Sequence, residues 1–263
     1  MSVRALRLTL ALASLLVLGG SAWAAAEVVQ KGTLRVDVSG KLSPQRLPRS
    51  GAAPIAVSVG GQISTTDSAP APKLQRLSIE LNRNGRLDSV GLPTCPYAAI
   101  QTASSQRALA ACRPSLVGRG SFSAEIGLAG QQPYPTKGTL LAFNGKVAGR
   151  PVLLGQIYAP RPFATSFVIV FSIAKAGKGA YGTTLTADLP KSLRSWGNLT
   201  GIELRLSRRY SYRGEQRSYL SAGCPAPKGF PGVSFPLART SFGFAGGPTL
   251  SSTLTRSCVA RGN

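Results

Sequence analysis

Apolar and polar residues alternate along most of this chain with the period of two that a half-buried β-strand requires. Residues 33–38, TLRVDV, place Leu34, Val36 and Val38 on one face. Residues 74–81 repeat the pattern with Leu77, Ile79 and Leu81 inward, and Asn84-Gly85 then supplies a turn. Ile202, Leu204 and Leu206 form a third such face within residues 202–210. Residues 55–63, 116–128, 152–158 and 183–189 read as further strands, and residues 250–259 as one of several short strands among Gly and Pro near the C-terminus. Residues 165–175, TSFVIVFSIAK, are apolar on both faces, as a central strand covered on both sides would be. Asn144-Gly145 accepts the positive φ angles of a type I′ turn and is the strongest hairpin signal.

Two Pro/Ser-rich stretches, residues 43–54 and 64–72, read as loops. Many short, evenly spaced strands with few helices predict a mainly β chain, an antiparallel β-sandwich or jelly roll. No repeat or linker divides it, so residues 27–263 are expected to form a single sandwich-type domain.

The alternation fails in two places. At the N-terminus, Arg4 and Arg7 precede an apolar run over residues 8–18, Gly19 and Gly20 break it, and Ala22-Trp23-Ala24 offers the small-x-small pattern of signal cleavage. The run is too short to span a bilayer comfortably, so residues 1–24, or 1–26, read as a cleaved secretory signal. No later stretch has the length of a membrane helix, so the product is expected outside the cell or at its surface without a transmembrane anchor.

The second break is the Ala-rich segment between Cys95 and Cys112, which favours helix. In an exported chain an even set of cysteines, Cys95, Cys112, Cys224 and Cys258, implies disulfides. Three pairings are possible, and sequence order suggests Cys95–Cys112 and Cys224–Cys258. One continuous helix would hold the first pair roughly 25 Å apart at 1.5 Å per residue, whereas a disulfide needs Cα atoms within about 7 Å. The segment around residues 96–112 must therefore fold back as two short helical pieces, broken at Ser104-Ser105, with either Ser able to cap the second.

Charge and missing chemistry narrow the function. The formal charge is +22, from 31 bases against 9 acids, and the leader takes away only Arg4 and Arg7. Arg in place of Lys, with much Ala, Gly and Pro, follows from a GC-rich genome, but that bias does not explain so few acids. A field this positive favours anionic envelope polymer or acidic glycan; its dispersed bases imply diffuse, salt-sensitive attraction, without specific nucleic-acid readout. Histidine is absent, which excludes Ser-His-Asp and Cys-His nucleophiles and imidazole–metal ligation. No metal site and no cofactor are expected.

Ser172-Ile-Ala-Lys175 matches a Ser-x-x-Lys motif, but that chemistry needs the pair one helical turn apart, and here it ends an extended run. A glycosidase would need two carboxylates about 5–9.5 Å apart; Glu80, Asp88, Glu125, Asp188, Glu203 and Glu215 are the candidates. Glu80 and Glu203 fall on outward positions, and Asp88 lies beside a turn. Asn198-Leu-Thr200 fits a glycosylation triplet that occurs readily by chance. The most suggestive surface is ELRLSRRYSYRGEQRSYL. If Arg213-Gly214-Glu215 turns a hairpin, Arg205, Arg208, Arg209, Arg213 and Arg217 share a surface with Tyr210 and Tyr212. Guanidinium groups and phenol rings together suit an anionic glycan or phosphate polymer. The plainer account is a basic outer face with rings packed on Arg stems.

The run Gly91-Leu-Pro-Thr-Cys-Pro96, Ala108-Leu109 before Cys112, and Leu116-Val117-Gly118-Arg119-Gly120 resemble a family of exported proteins of high-GC Gram-positive bacteria with no assigned function. Phe143-Asn144-Gly145, Ser218-Tyr219-Leu220, Cys224-Pro225-Ala226-Pro227 and Arg256-Ser257-Cys258 are similar to its later landmarks. The resemblance implies a secreted, disulfide-bonded, β-rich domain and brings no site with it. The sequence thus predicts a secreted, non-catalytic binding or structural protein of the cell envelope or extracellular matrix. A carbohydrate-active hydrolase using a carboxylate pair is the alternative.

Overall fold

A computed structural model describes residues 26–67, 69–127, 130–247 and 249–261; the leader predicted over residues 1–24 lies outside them. The first half contains β1 (Glu27–Lys31), β2 (Leu34–Ser43), β3 (Arg46–Pro48), β4 (Ala53–Pro54), β5 (Ala56–Thr65), β6 (Leu74–Asn82), β7 (Gly85–Leu87), α1 (Tyr97–Ile100), α2 (Ser105–Cys112) and β8 (Leu116–Ile126). It is followed by β9 (Tyr134–Val147), β10 (Arg150–Ala159), β11 (Thr165–Lys175), β12 (Tyr181–Asp188), α3 (Lys191–Trp196) and β13 (Gly197–Leu206). The last elements are β14 (Arg209–Tyr212), β15 (Glu215–Ser218), β16 (Leu220–Ala222), β17 (Gly232–Phe244) and β18 (Thr249–Arg261).

The fold is mainly β and sandwich-like, as the alternation predicts, and both walls come from one sheet. Thirteen strands run in the order β1-β2-β5-β13-β8-β9-β10-β11-β12-β6-β17-β18-β3. Neighbours are antiparallel except β3 and β18. The sheet curls until β1 and β2 face β18, and side chains close the seam. The Glu27 carboxylate accepts from Arg256 Nη1 at 2.7 Å and from the Thr255 amide at 3.2 Å, while Arg256 Nε donates to the Gly40 carbonyl at 2.6 Å. A Cβ on Gly40 would collide with Leu254, so a glycine is what lets the walls approach.

Alternation decides what fills the interior. Val36, Val38, Phe122, Leu140, Ile157 and Leu254 point inward at 5 % exposure or less, each fully buried side chain contributing about 1.5–3 kcal/mol. At one end α3 buries Leu193, and the edge of Trp196 meets Phe167 at 5.4 Å between centroids. At the other end lie the hairpin β14–β15, the small sheet β4-β16-β7 and the Cys224–Cys258 disulfide, which surround Tyr210, Tyr219 and Phe235.

The stapled insert forms as the geometry requires. Cys95 and Cys112 are bonded with Cα atoms 5.3 Å apart, α1 and α2 fold back on each other, and Ser104 Oγ caps α2 by accepting from the Arg107 amide at 3.3 Å. The insert packs on the outside of the sheet, where Leu141, Phe143, Val152, Leu154 and Val168 meet Ile100 and Ala108. Gln156, fully buried, pins it by donating to the Ala103 carbonyl at 2.8 Å. This second apolar layer explains the two-sided patterning. In β11 Val168 faces the insert and Ile169 the interior, whereas Ser172, Ala174 and Lys175 run past the insert and are exposed.

Two local readings need correction. The hairpin β9–β10 exists, but its turn is Ala148-Gly149, with φ of 48° and 75°, and Asn144-Gly145 lies inside β9. Asn144 is buried because it holds the Cys95 loop: its Nδ2 donates to the carbonyls of Leu92 at 3.2 Å and Pro93 at 3.0 Å, and its carbonyl accepts from the Cys95 amide at 2.8 Å. Gly145 is required there because a Cβ would meet Leu154 at 2.6 Å. The stretch 43–54 is not wholly loop either. Its apolar Leu47 is fully buried, which lets β3 dock on β18 and β4 on β16.

Candidate functional site

The Arg/Tyr segment does turn a hairpin. Arg213 and Gly214 adopt φ of 53° and 79°, and the register sets Tyr212 opposite Glu215 and Tyr210 opposite Arg217. The seven residues nevertheless do not share one surface. Tyr210 belongs to the core at 8 % exposure, with its hydroxyl donating to the Val90 carbonyl at 2.9 Å. Burial, and then the charge of Asp88, raise its phenol above the usual tyrosine range, against a smaller lowering by Arg217.

Tyr212 lies flat on Gly91, where φ is +79° and a Cβ would strike the ring. The guanidinium groups of Arg213 and Arg217 stand over that ring at 5.3 and 5.6 Å. Arg217 is also bound to Asp88 Oδ2 and Glu215 Oε2, each at 3.2 Å. At the hairpin base Arg208 donates to the Pro114 carbonyl at 3.2 Å. Arg209 is opposite Ser218 and exposed. The hairpin therefore leaves Arg209 and Arg213 exposed, and its other members hold the structure together.

Arg205 lies elsewhere, on the outer face of β13. The register aligns Lys41, Ser58, Arg205 and Arg119 across four adjacent strands, which are spaced about 4.8 Å apart. Beside this row a shallow depression of about 390 Å³ is floored by Ser39 and Gly60 and contains Glu203. A second depression, of about 540 Å³, lies between the turn joining β6 to β7 and the loop joining β11 to β12. Arg83, Arg86 and Lys175 line it together with Asp88. Sequence reading missed these three bases, because only the pairing of β6 with β12 brings residues 83–86 beside residues 175–182. The one local signal was the Asn84-Gly85 turn between two arginines.

Most of the acids are committed, although Glu125 and Glu203 have no basic partner among the described residues. Asp37 pairs with Arg35 at 2.8 Å, Asp188 with Arg76 at 2.7 Å, Glu80 with Arg239 at 2.5 Å and Glu27 with Arg256 at 2.7 Å. Asp88 and Glu215 share Arg217. Hydrogen bonds from Arg239 and Arg76 hold the Glu80 and Asp188 carboxyls below the ordinary carboxylate range. That is opposite to the raised value a general acid needs near neutrality. Each depression contains a single acid, Glu203 in one and Asp88 in the other. Among the described residues no three His, Cys, Asp or Glu side chains cluster as metal ligands, and no helix is long and apolar enough to cross a membrane. No family model, curated protein or solved structure matches this chain.

Proposed function

We propose that this is an exported, non-catalytic protein of the cell envelope or its surroundings that holds anionic polymer by charge. The two disulfides suggest a non-cytoplasmic protein, and the leader pattern supports export. One observation carries the binding reading. Six of the nine acids are bound to arginines, and five arginines suffice for them, so among the described residues the other bases have no carboxylate partner to neutralise them.

A polymer would meet this field over much of the surface, with Arg209 and Arg213 at the hairpin and the Lys41–Arg205–Arg119 row as contact points. Such binding is screened within roughly 10 Å at 0.1 M salt and within about 3 Å at 1 M. The oxidised protein should be retained on an immobilised acidic polysaccharide at low salt, ignore a neutral one, and elute well below 1 M salt. Passage through the acidic matrix at low salt would end the reading.

A further inference from the structure

We infer that the depression between the β6–β7 turn and the β11–β12 loop is a built oxyanion site that anchors a phosphate or sulfate ester of the bound polymer. The inference rests on the polymer-binding reading above. Arg83 and Arg86 line the depression from the β6–β7 turn and from β7, and Lys175 from the end of β11, so two segments remote in sequence bring three cations to it. Among the described residues none of the three has a carboxylate partner, whereas Asp88, the acid beside them, is engaged. Its Oδ2 accepts from Arg217 at 3.2 Å and its Oδ1 from the Val90 amide at 2.9 Å.

The walls are fixed independently of any ligand. Asn82, at 6 % exposure, accepts the Asn84 amide at 2.9 Å and donates to the Pro236 carbonyl at 2.8 Å. The Arg83 amide donates to the Ala180 carbonyl at 2.9 Å, and the Gly223 amide to that of Asn84 at 3.0 Å. The turn is thus tied to β17, to the β11–β12 loop and to the segment after β16. A pinned backbone spares binding the cost of ordering a loop and leaves only the rotamer freedom of the three side chains to be lost. Gly177 and Gly182 carry no side chain to occupy the space, and a Cβ on Gly182 would come within 3.0 Å of the Arg83 backbone.

Three cations lining one depression suit a tetrahedral oxyanion, which presents oxygens in several directions, better than a planar carboxylate with two. The depression is open to solvent, and its volume of about 540 Å³ exceeds that of a bare ion, so an ester can enter with part of its chain.

The test sets two equal changes of charge against each other. Arg83→Glu/Arg86→Glu/Lys175→Glu alters the depression, and Lys41→Glu/Arg119→Glu/Arg205→Glu alters the row on β2, β8 and β13. All six residues are exposed, and circular dichroism checks that each variant folds. Labelled inorganic polyphosphate, dextran sulfate and polyglutamate are titrated at 0.1 M salt, which separates phosphate from sulfate and both from carboxylate. We expect the first triple variant to weaken polyphosphate or dextran sulfate binding at least about tenfold more than the second, with polyglutamate weaker than either throughout. Equal weakening by both variants would leave diffuse attraction standing and remove the site. Polyglutamate binding as tightly as polyphosphate and dextran sulfate would remove the choice of ligand. If the unaltered protein binds none of the three, the polymer-binding reading falls first and the site falls with it.

Discussion

The two buried tyrosines beside the hairpin should respond in opposite directions to the same substitution. Tyr219 is fully buried, and among the described residues its hydroxyl has no hydrogen-bond partner. A buried polar group left unsatisfied costs about 1–3 kcal/mol. Tyr219→Phe keeps the ring and deletes the cost, so it should raise stability by about 1–2 kcal/mol, or roughly 3–6 °C in Tm for a domain of this size. Tyr210 is nearly as buried, but its hydroxyl donates to the Val90 carbonyl at 2.9 Å. Tyr210→Phe removes that bond and should cost about 1 kcal/mol.

Guanidinium denaturation of the oxidised proteins, followed by circular dichroism, measures both. Destabilisation by Tyr219→Phe of about 1 kcal/mol or more would mean that the hydroxyl is satisfied and the reasoning wrong. The same burial has a consequence for pH. It pushes both phenols above the usual tyrosine range, so between about pH 10 and the raised values the unfolded chain loses protons that the folded one keeps. Stability is therefore complete below about pH 10 and falls as pH rises beyond it, and Tyr219→Phe should flatten part of that fall.

Replacing each cysteine pair by Ala should cost about 3.8 kcal/mol for Cys224–Cys258 and about 3.1 for Cys95–Cys112 on the chain-entropy account, since the bridges span 34 and 17 residues; equal losses, or the reverse order in denaturation, would contradict this. The lowered carboxyls of Glu80 and Asp188 contribute stability that is present above about pH 4 and lost as pH falls through their depressed values, so Glu80→Gln should shallow the acid limb of a stability–pH curve. Gly91→Ala should cost about 1–3 kcal/mol, because φ there is +79° and Tyr212 fills the space. Gly51→Ala, at φ +77° with nothing within 4 Å, carries the backbone cost alone and should lose less on thermal melting.

The strands were legible because a half-buried strand writes its burial into every second residue. Leu34, Val36 and Val38 all face the core as read. The stapled insert was legible for another reason: a covalent distance limit contradicted helix geometry and left one way to fold. Asn144-Gly145 misled because a buried strand that receives a docked loop also selects a side-chain amide and a missing Cβ, the same two residues a turn selects. The candidate surface was read least well. Arg and Tyr at alternate positions say that a hairpin has a basic, aromatic face, but they do not say whether Asp88 or Gly91 arrives from a remote segment to claim it. The cluster of Arg83, Arg86 and Lys175 was invisible for the same reason, since strand order creates it.

The outer apolar layer beneath α1 and α2 makes oxidation a matter of surface chemistry as well as of stability. Leu141, Phe143, Val152, Leu154 and Val168 lie side by side on β9, β10 and β11, and the insert that hides them is tied at both ends by Cys95 and Cys112. With these thiols reduced, only the Gln156 and Asn144 hydrogen bonds and apolar packing would hold the insert, so its opening should become more frequent and bare a stripe of aliphatic and aromatic side chains three strands wide. Such stripes seed aggregation. Protein with these thiols reduced should therefore scatter more light than the oxidised form at equal concentration, although its sheet has formed.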